Sequence, residues 1–231
     1  MFKNIVFCCF FATVVSAQNT TVEYVMGKLD PAQDKRFVKI ENMYADKKNM
    51  YLRQEAYIAF KKMAIAAKKD GISLKIVSAT RNFAQQKVIW ETKWQTKYAH
   101  LQDPQQRALK ILEFSSMPGS SRHHWGTDMD LNDLNNEYFA TGAGKKMYDW
   151  LLQHAATFGF CQPYSAGRTD GYHEEKWHWT YLPLSKPLTD FAKAHLTDAQ
   201  IKGFLGAETA SRIEIVKRYI LGINVLCKQQ E

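Results

Sequence analysis

Cysteine, proline and glycine are all scarce in this chain, with 4, 6 and 12 of them among 231 residues. So few cysteines exclude a disulfide-dense miniature scaffold, and so little proline and glycine excludes a collagen-like or low-complexity chain. No apolar run reaches the roughly 20 residues that a membrane-spanning helix needs. Internal repeats are absent too. With 45% hydrophobic residues the composition is equally far from intrinsic disorder. What remains is a soluble globular protein, long enough for one domain with a substantial core.

One pronounced apolar run is present, Ile5 to Val15. It follows a short, positively charged start and precedes the small residues Ser16 and Ala17. This order is that of a secretory signal peptide. It predicts residues 1–17 as a cleaved leader, export to the periplasm or cell wall, and no stable membrane insertion afterwards. Bulky Val6 and Phe7 ahead of Cys8 and Cys9 argue against lipid attachment. The exported chain keeps Cys161 and Cys227, which either pair in an oxidising compartment or remain thiols. The formal net charge is +8. Outside the cytoplasm, a basic surface points to polyanionic surroundings such as cell-wall polymers before nucleic acid.

Residues 18–50 are polar and weakly patterned, a leader segment that packs on the domain. From Tyr51 to Lys69 apolar residues recur at helical spacing, and Asp70-Gly71 supplies the stop. Ile72 to Val77 alternates as a strand does. Helices are predicted over Phe83–Tyr98, Ala108–Phe114 and Gly144–Phe158, with a loop over Ser115–Ser121. Further strands fall at Met129–Leu131 and Trp177–Leu182. The stretch 189–231 is helical in composition and reads as an appendage to a main domain over 51–188. Separated strands beside a helix-rich half favour an α+β fold, a small, mainly antiparallel sheet with helices around it, over a doubly wound parallel sheet.

Two short segments concentrate the chemistry. The first is Ser121-Arg122-His123-His124-Trp125-Gly126-Thr127-Asp128-Met129-Asp130. The second is His173-Glu174-Glu175-Lys176-Trp177-His178. Histidine and carboxylate gathered beside two predicted strands point to a divalent metal site, for which zinc takes three protein ligands when catalytic. His123 and Asp130, seven apart, would face opposite sides of one straight strand; Gly126 between them supplies the turn that brings both to one ion. Asp128 competes with Asp130 as the carboxylate ligand. His178 is the best third ligand, with Glu175 three residues before it. A carboxylate beside a metal is what general-base activation of water requires. The aromatic residues Trp177, Trp179 and Tyr181 are also what cross-strand packing would place there.

The pair Ser121-x-His123-x-x-Gly126-x-x-x-Asp130 and Glu175-x-Trp177-His178-x-x-Tyr181 resembles the signature of the VanY-type D-alanyl-D-alanine carboxypeptidases. Upstream, Ser78-Ala79-Thr80-Arg81 with Gln86 resembles a third motif of that family. The resemblance covers roughly residues 72–182. It implies that His123, Asp130 and His178 hold one Zn²⁺ on the sheet, that Glu175 is the catalytic base, and that Arg81 binds substrate or the oxyanion. Ser121 and Gln86 would help to hold the peptide. It favours Asp130 over Asp128 and Glu175 over Glu174. The implied activity is a secreted zinc carboxypeptidase acting on peptidoglycan stem peptides, of D,D or L,D type. A dipeptidase, an endopeptidase and a zinc-stabilised binding module are the alternatives. Asp128 departs from the pattern, standing where relatives commonly carry a small apolar residue.

Overall fold

A computed structural model of the chain describes residues 20–228, so the predicted leader 1–17 lies outside the described residues. Among the described residues, no helix is long and apolar enough to cross a membrane. The architecture is α+β. A one-turn helix α1 (Val22–Val25) opens it. Strands β1 (Phe37–Lys39) and β2 (Tyr51–Arg53) follow as an antiparallel pair, with Val38 opposite Leu52. Helix α2 (Gln54–Lys69) leads to β3 (Ile76–Ser78), α3 (Phe83–Gln95) and α4 (Pro104–Ile111). Then come β4 (Asp128–Leu131), α5 (Gly142–His154), β5 (Phe160–Cys161), β6 (His178–Tyr181) and α6 (Leu182–His195). The main sheet has the order β3-β4-β6-β5, with every pair antiparallel.

The pleat sorts the two faces of this sheet. Met129, Leu131 and Trp179 join a core with Phe60 and Met63 of α2 and Met147 and Leu151 of α5. Asp128 and Asp130 of β4, with His178 and Thr180 of β6, stand on the other face in register, Asp128 opposite Thr180 and Asp130 opposite His178. On that side a larger core combines Tyr24 and Val25 of α1, Trp90 of α3 and Leu112 with Leu188, Phe204 and Tyr219.

Several boundaries differ from the sequence expectation, three of them for a plain local reason. Tyr51 to Arg53 are strand, because they pair with β1 before the helix starts at Gln54. The strand predicted from Ile72 forms only from Ile76. Before it, the Asn132 side chain takes a partner strand's place, accepting from the Lys75 N–H at 2.9 Å and donating to the Ser73 carbonyl at 2.9 Å. The short fourth helix begins at Pro104, four residues earlier than expected, capped by Asp103, whose carboxylate accepts from the Gln105 N–H at 3.0 Å.

The stretch beyond 189 is not an outlier hanging from the domain. α6 starts at Leu182, and Leu188, Ala192, Ile201, Phe204, Ile213 and Tyr219 belong to the larger core. Cys161 and Cys227 are disulfide-bonded, tying β5 to the chain's last described turn. The same tail grips the loop between β5 and β6. Arg168 donates to the Gly222 carbonyl at 2.7 Å, the Asn224 N–H donates to the Pro163 carbonyl at 2.8 Å, and Arg218 meets Asp170 at 3.1 Å. Gly171 makes the approach possible: a Cβ there would lie 2.7 Å from the Gly222 carbonyl oxygen, on a backbone with φ +83. The disulfide spans a sequence separation of 66, for which loop-closure entropy gives about 4 kcal/mol. Replacing both cysteines with serine is expected to lower the melting temperature by roughly 10 °C. Calorimetry checks this, and an unchanged midpoint would mean that the noncovalent grip of the tail suffices.

Candidate metal centre

The metal-centre residues arrive from three directions. His123 sits in a single 3₁₀ turn, Arg122–Trp125, that Gly126 ends with φ +74 before the chain enters β4. A Cβ on Gly126 would lie 2.3 Å from the Phe37 ring, so glycine alone permits this turn. Asp130 and His178 are cross-strand neighbours on β4 and β6. One ligand atom from each of His123, Asp130 and His178 lies within 4.8 Å of the others, and all three side chains are buried. The three residues singled out from the sequence are therefore brought together.

The outward nitrogens explain the ring orientations. His123 Nδ1 lies 2.8 Å from the Ala79 carbonyl, which only accepts, so this nitrogen carries the proton. Nε2 is left bare and faces Asp130 Oδ2 at 3.3 Å. His178 is held the other way round. Its Nε2 lies 2.9 Å from Asp128 Oδ2, and its Nδ1 faces Asp130 Oδ1 at 3.1 Å and Glu175 Oε2 at 3.3 Å. Asp130 Oδ1 is buried without a hydrogen-bond partner. Lone pairs of two imidazoles and a carboxylate thus point at one another, which is unfavourable unless a cation lies between them. Burial disfavours the His178 imidazolium, yet contacts with Asp128, Asp130 and Glu175 outweigh it and raise its pKa well above the ordinary histidine range. The cluster demands positive charge, as a proton or as a metal ion. Two nitrogens and one carboxylate oxygen, with a cleft alongside, fit zinc.

Asp128 plays a part that sequence reasoning left open. It does not join the three converging ligands; it orients one of them. Its Oδ2 accepts from Arg122 Nε at 3.1 Å as well as contacting His178, while its Oδ1 accepts from Thr127 and Thr180 hydroxyls, both at 2.6 Å. Arg122 is in turn completely enclosed, donating to Thr189 Oγ1 at 2.9 Å and Thr180 Oγ1 at 3.2 Å and lying over the Trp125 ring at 4.4 Å. Burial by itself would raise the Asp128 pKa, but Arg122 and His178 hold it far below the usual carboxylate range. A carboxylate backing a metal-ligating histidine fixes its tautomer and ring plane.

A cleft of about 240 Å³ opens onto the cluster. Glu175 lines it, fully buried, its N–H bonded to the Tyr164 carbonyl at 2.9 Å. Burial raises its pKa above the usual glutamate value, against the opposing pull of His178. Glu174 lies outside the cleft lining. Arg81 stands on the same cleft, 3.8 Å from Asp130 Oδ2. Its Nε donates to Gln86 Oε1 at 2.9 Å and its Nη1 to the Ser78 hydroxyl, while Gln86 Nε2 donates to the Ser116 carbonyl at 2.8 Å. Both ends of the Gln86 amide are therefore engaged in holding Arg81 in place. Ser121 is buried with its hydroxyl unpartnered and is not among the residues that line the cleft.

His124 stands apart from the cluster. Its Nδ1 lies 2.6 Å from the Arg81 carbonyl and its Nε2 accepts from the Gly119 N–H at 3.0 Å, so both ring nitrogens are committed. Burial pushes its pKa down to about 3. Sequence reasoning missed Tyr164 and Tyr172, which line the cleft from the irregular loop between β5 and β6, where no periodicity marks them. Tyr164 packs against the His178 ring at 4.6 Å between centroids. It also missed Lys93, although that residue lies seven after Gln86 and so on the same face of α3.

The profile of the family described as D-alanyl-D-alanine carboxypeptidase, VanY, matches residues 49–184. The putative carboxypeptidase YodJ of Bacillus subtilis (strain 168) is 33% identical over 140 residues, which are 57% of this chain and 46% of that protein. The chain thus spans less than half the length of this curated relative. Among solved structures, the LdcB LD-carboxypeptidase is similar at 25% identity and a TM-score of 0.53, over 80% of this chain and 79% of that one. VanYB in complex with D-alanine-D-alanine aligns at 20% identity and TM-score 0.53, over 87% of this chain and 93% of its own. VanY from a VanB-type resistance cassette, in complex with Zn(II), aligns at 21% and 0.53, over 77% and 91%.

Proposed function

The chain belongs to the VanY family of D-alanyl-D-alanine carboxypeptidases, and on that premise we propose that it is an exported zinc carboxypeptidase that trims peptidoglycan stem peptides. The observation that carries this reading is the convergence of His123, Asp130 and His178 at a cleft shared with Glu175 and Arg81. The related structures add support, since one holds Zn(II), another D-alanine-D-alanine, and the LdcB structure concerns peptidoglycan recognition. Export rests on the N-terminal segment and fits a wall polymer as substrate.

When bound by the three ligands, zinc supplies a Lewis acid that polarises a carbonyl and makes water more acidic. The chain's own residues do the rest. Glu175, with its pKa raised by burial, accepts a proton from attacking water and holds it at its carboxylate until the leaving amine takes it. Arg81 presents a guanidinium, steadied by Gln86 and Ser78, whose fork matches the two oxygens of a free chain end. A cation built for a terminal carboxylate favours an exopeptidase. Asp128 keeps His178 Nδ1 turned toward Asp130, where it would serve as a ligand.

Incubation of the zinc-loaded protein with defined muropeptides, followed by mass spectrometry, tests the proposal. Loss of one C-terminal residue is expected; intact peptides throughout would overturn it and favour a binding module. The role of Asp128 has its own test. Asp128→Ala is expected to weaken zinc binding about 10–100-fold, read by competition with a chromophoric chelator. An affinity equal to the wild type's would show that His178 needs no such backing.

A further inference from the structure

Lys93 is a cation in the cleft that the proposed reaction does not use. It lines the same cavity as Arg81 and Glu175, half-buried, with its ammonium donating to the Ser115 hydroxyl. Among the described residues no carboxylate forms an ion pair with it; Glu175 acts on it only at longer range. Burial lowers its pKa, and the neighbouring cations Lys97 and Arg81 lower it further. Such a group gains from an incoming anion.

The charge balance of the cleft points the same way. Its charged side chains are Arg81, Lys93, Asp130 and Glu175, and its two metal-facing histidines are neutral when they act as ligands. A divalent cation at the three ligands therefore leaves a formal surplus of two positive charges. A single terminal carboxylate on Arg81 offsets only one of them. The rest of the cleft lining says what carries the second. Ile89, one turn before Lys93 on α3, lines the cleft with Phe114, Leu134 and Trp177, and the rings of Phe114 and Trp177 lie 6.2 Å apart. An apolar wall in the same cleft as the Lys93 ammonium and the Ser115 hydroxyl suits an aliphatic side chain with a carboxylate at its tip.

Resting on the carboxypeptidase reading, we infer that the cleft takes a dicarboxylate chain end: the terminal carboxylate at Arg81, and a second carboxylate, carried by the side chain of the penultimate residue, at Lys93. This assigns the preferred scissile bond to one that follows a long acidic diamino acid, an L,D-type bond, over one between two D-alanines.

The test uses two tetrapeptides that end in D-alanine and differ only at the penultimate residue, L-lysine against meso-diaminopimelate, which adds one carboxylate. The zinc-loaded wild type is expected to favour the diaminopimelate peptide by about 10–100-fold in kcat/KM, the span of one charge-assisted contact, and mostly through KM. Lys93→Met brings that ratio close to one, and Lys93→Arg retains most of it. A wild-type ratio of one, or a ratio unchanged in Lys93→Met, overturns the inference. Cleavage of a pentapeptide ending in D-Ala-D-Ala, with both tetrapeptides left intact, also overturns it while the carboxypeptidase reading stands. Cleavage of none of the three overturns both.

Discussion

Glu175→Gln is expected to lower kcat on a stem peptide by about 10²–10⁴-fold, the usual contribution of a positioned general base, while one zinc per chain stays bound. The substitution keeps the size of the side chain and its place beside His178, 3.3 Å away, but an amide cannot take a proton from water. Glu175 is suited to this work because burial raises its pKa above the usual glutamate value, and because it stands outside the three converging ligands. Kinetics on a defined peptide, with zinc measured on the same sample, check the result. Activity within tenfold of the wild type would remove Glu175 from the role of base. Loss of zinc along with activity would place it among the ligands instead.

The second large effect concerns stability. Arg122 and Asp128 form a completely buried ion pair, 3.1 Å apart, beneath the metal cluster. Replacing one member of such a pair leaves the other charge enclosed without its partner, which typically costs about 3–5 kcal/mol. Arg122→Met, studied in the zinc-free protein so that metal loss does not enter, is expected to lower the melting temperature by roughly 10 °C or more. Adding Asp128→Ala to it removes the stranded carboxylate. The double variant is therefore expected to fall well short of the sum of the two single effects, the mark of a coupled pair. An Arg122→Met midpoint within 2 °C of the wild type, about the shift of 1 kcal/mol or less, would show that Thr127, Thr180 and His178 satisfy Asp128 unaided.

Much of the site is legible in the order of residues alone. The His123-to-Asp130 spacing works because Gly126 turns the chain between them, and only glycine fits against Phe37 there. His178 follows Glu175 by three residues, and both reach the cleft because the chain enters β6 between them. The helix α3 is equally readable at its start, Phe83, although it ends at Gln95, short of the expected Tyr98. Other features depend on what the chain meets after folding. Nothing local says that Ser73 to Lys75 will bond to the Asn132 side chain instead of a strand. The helical composition after Thr189 does not disclose that Thr189 itself receives a hydrogen bond from Arg122, or that Tyr219 packs on Tyr172 of the cleft loop at 5.1 Å. Asp128 could be read from sequence as a rival ligand; its opposition to Thr180 across the strands and its contact with the far nitrogen of His178 emerge only from the register.

The central claim is that His123, Asp130 and His178 jointly hold one metal ion. It is tested most directly by measuring the zinc that stays with the chain after exhaustive dialysis, for the wild type and for His178→Ala side by side. The expected values are close to one per chain in the first and close to none in the second. Equal zinc in both, or none in either, would contradict it.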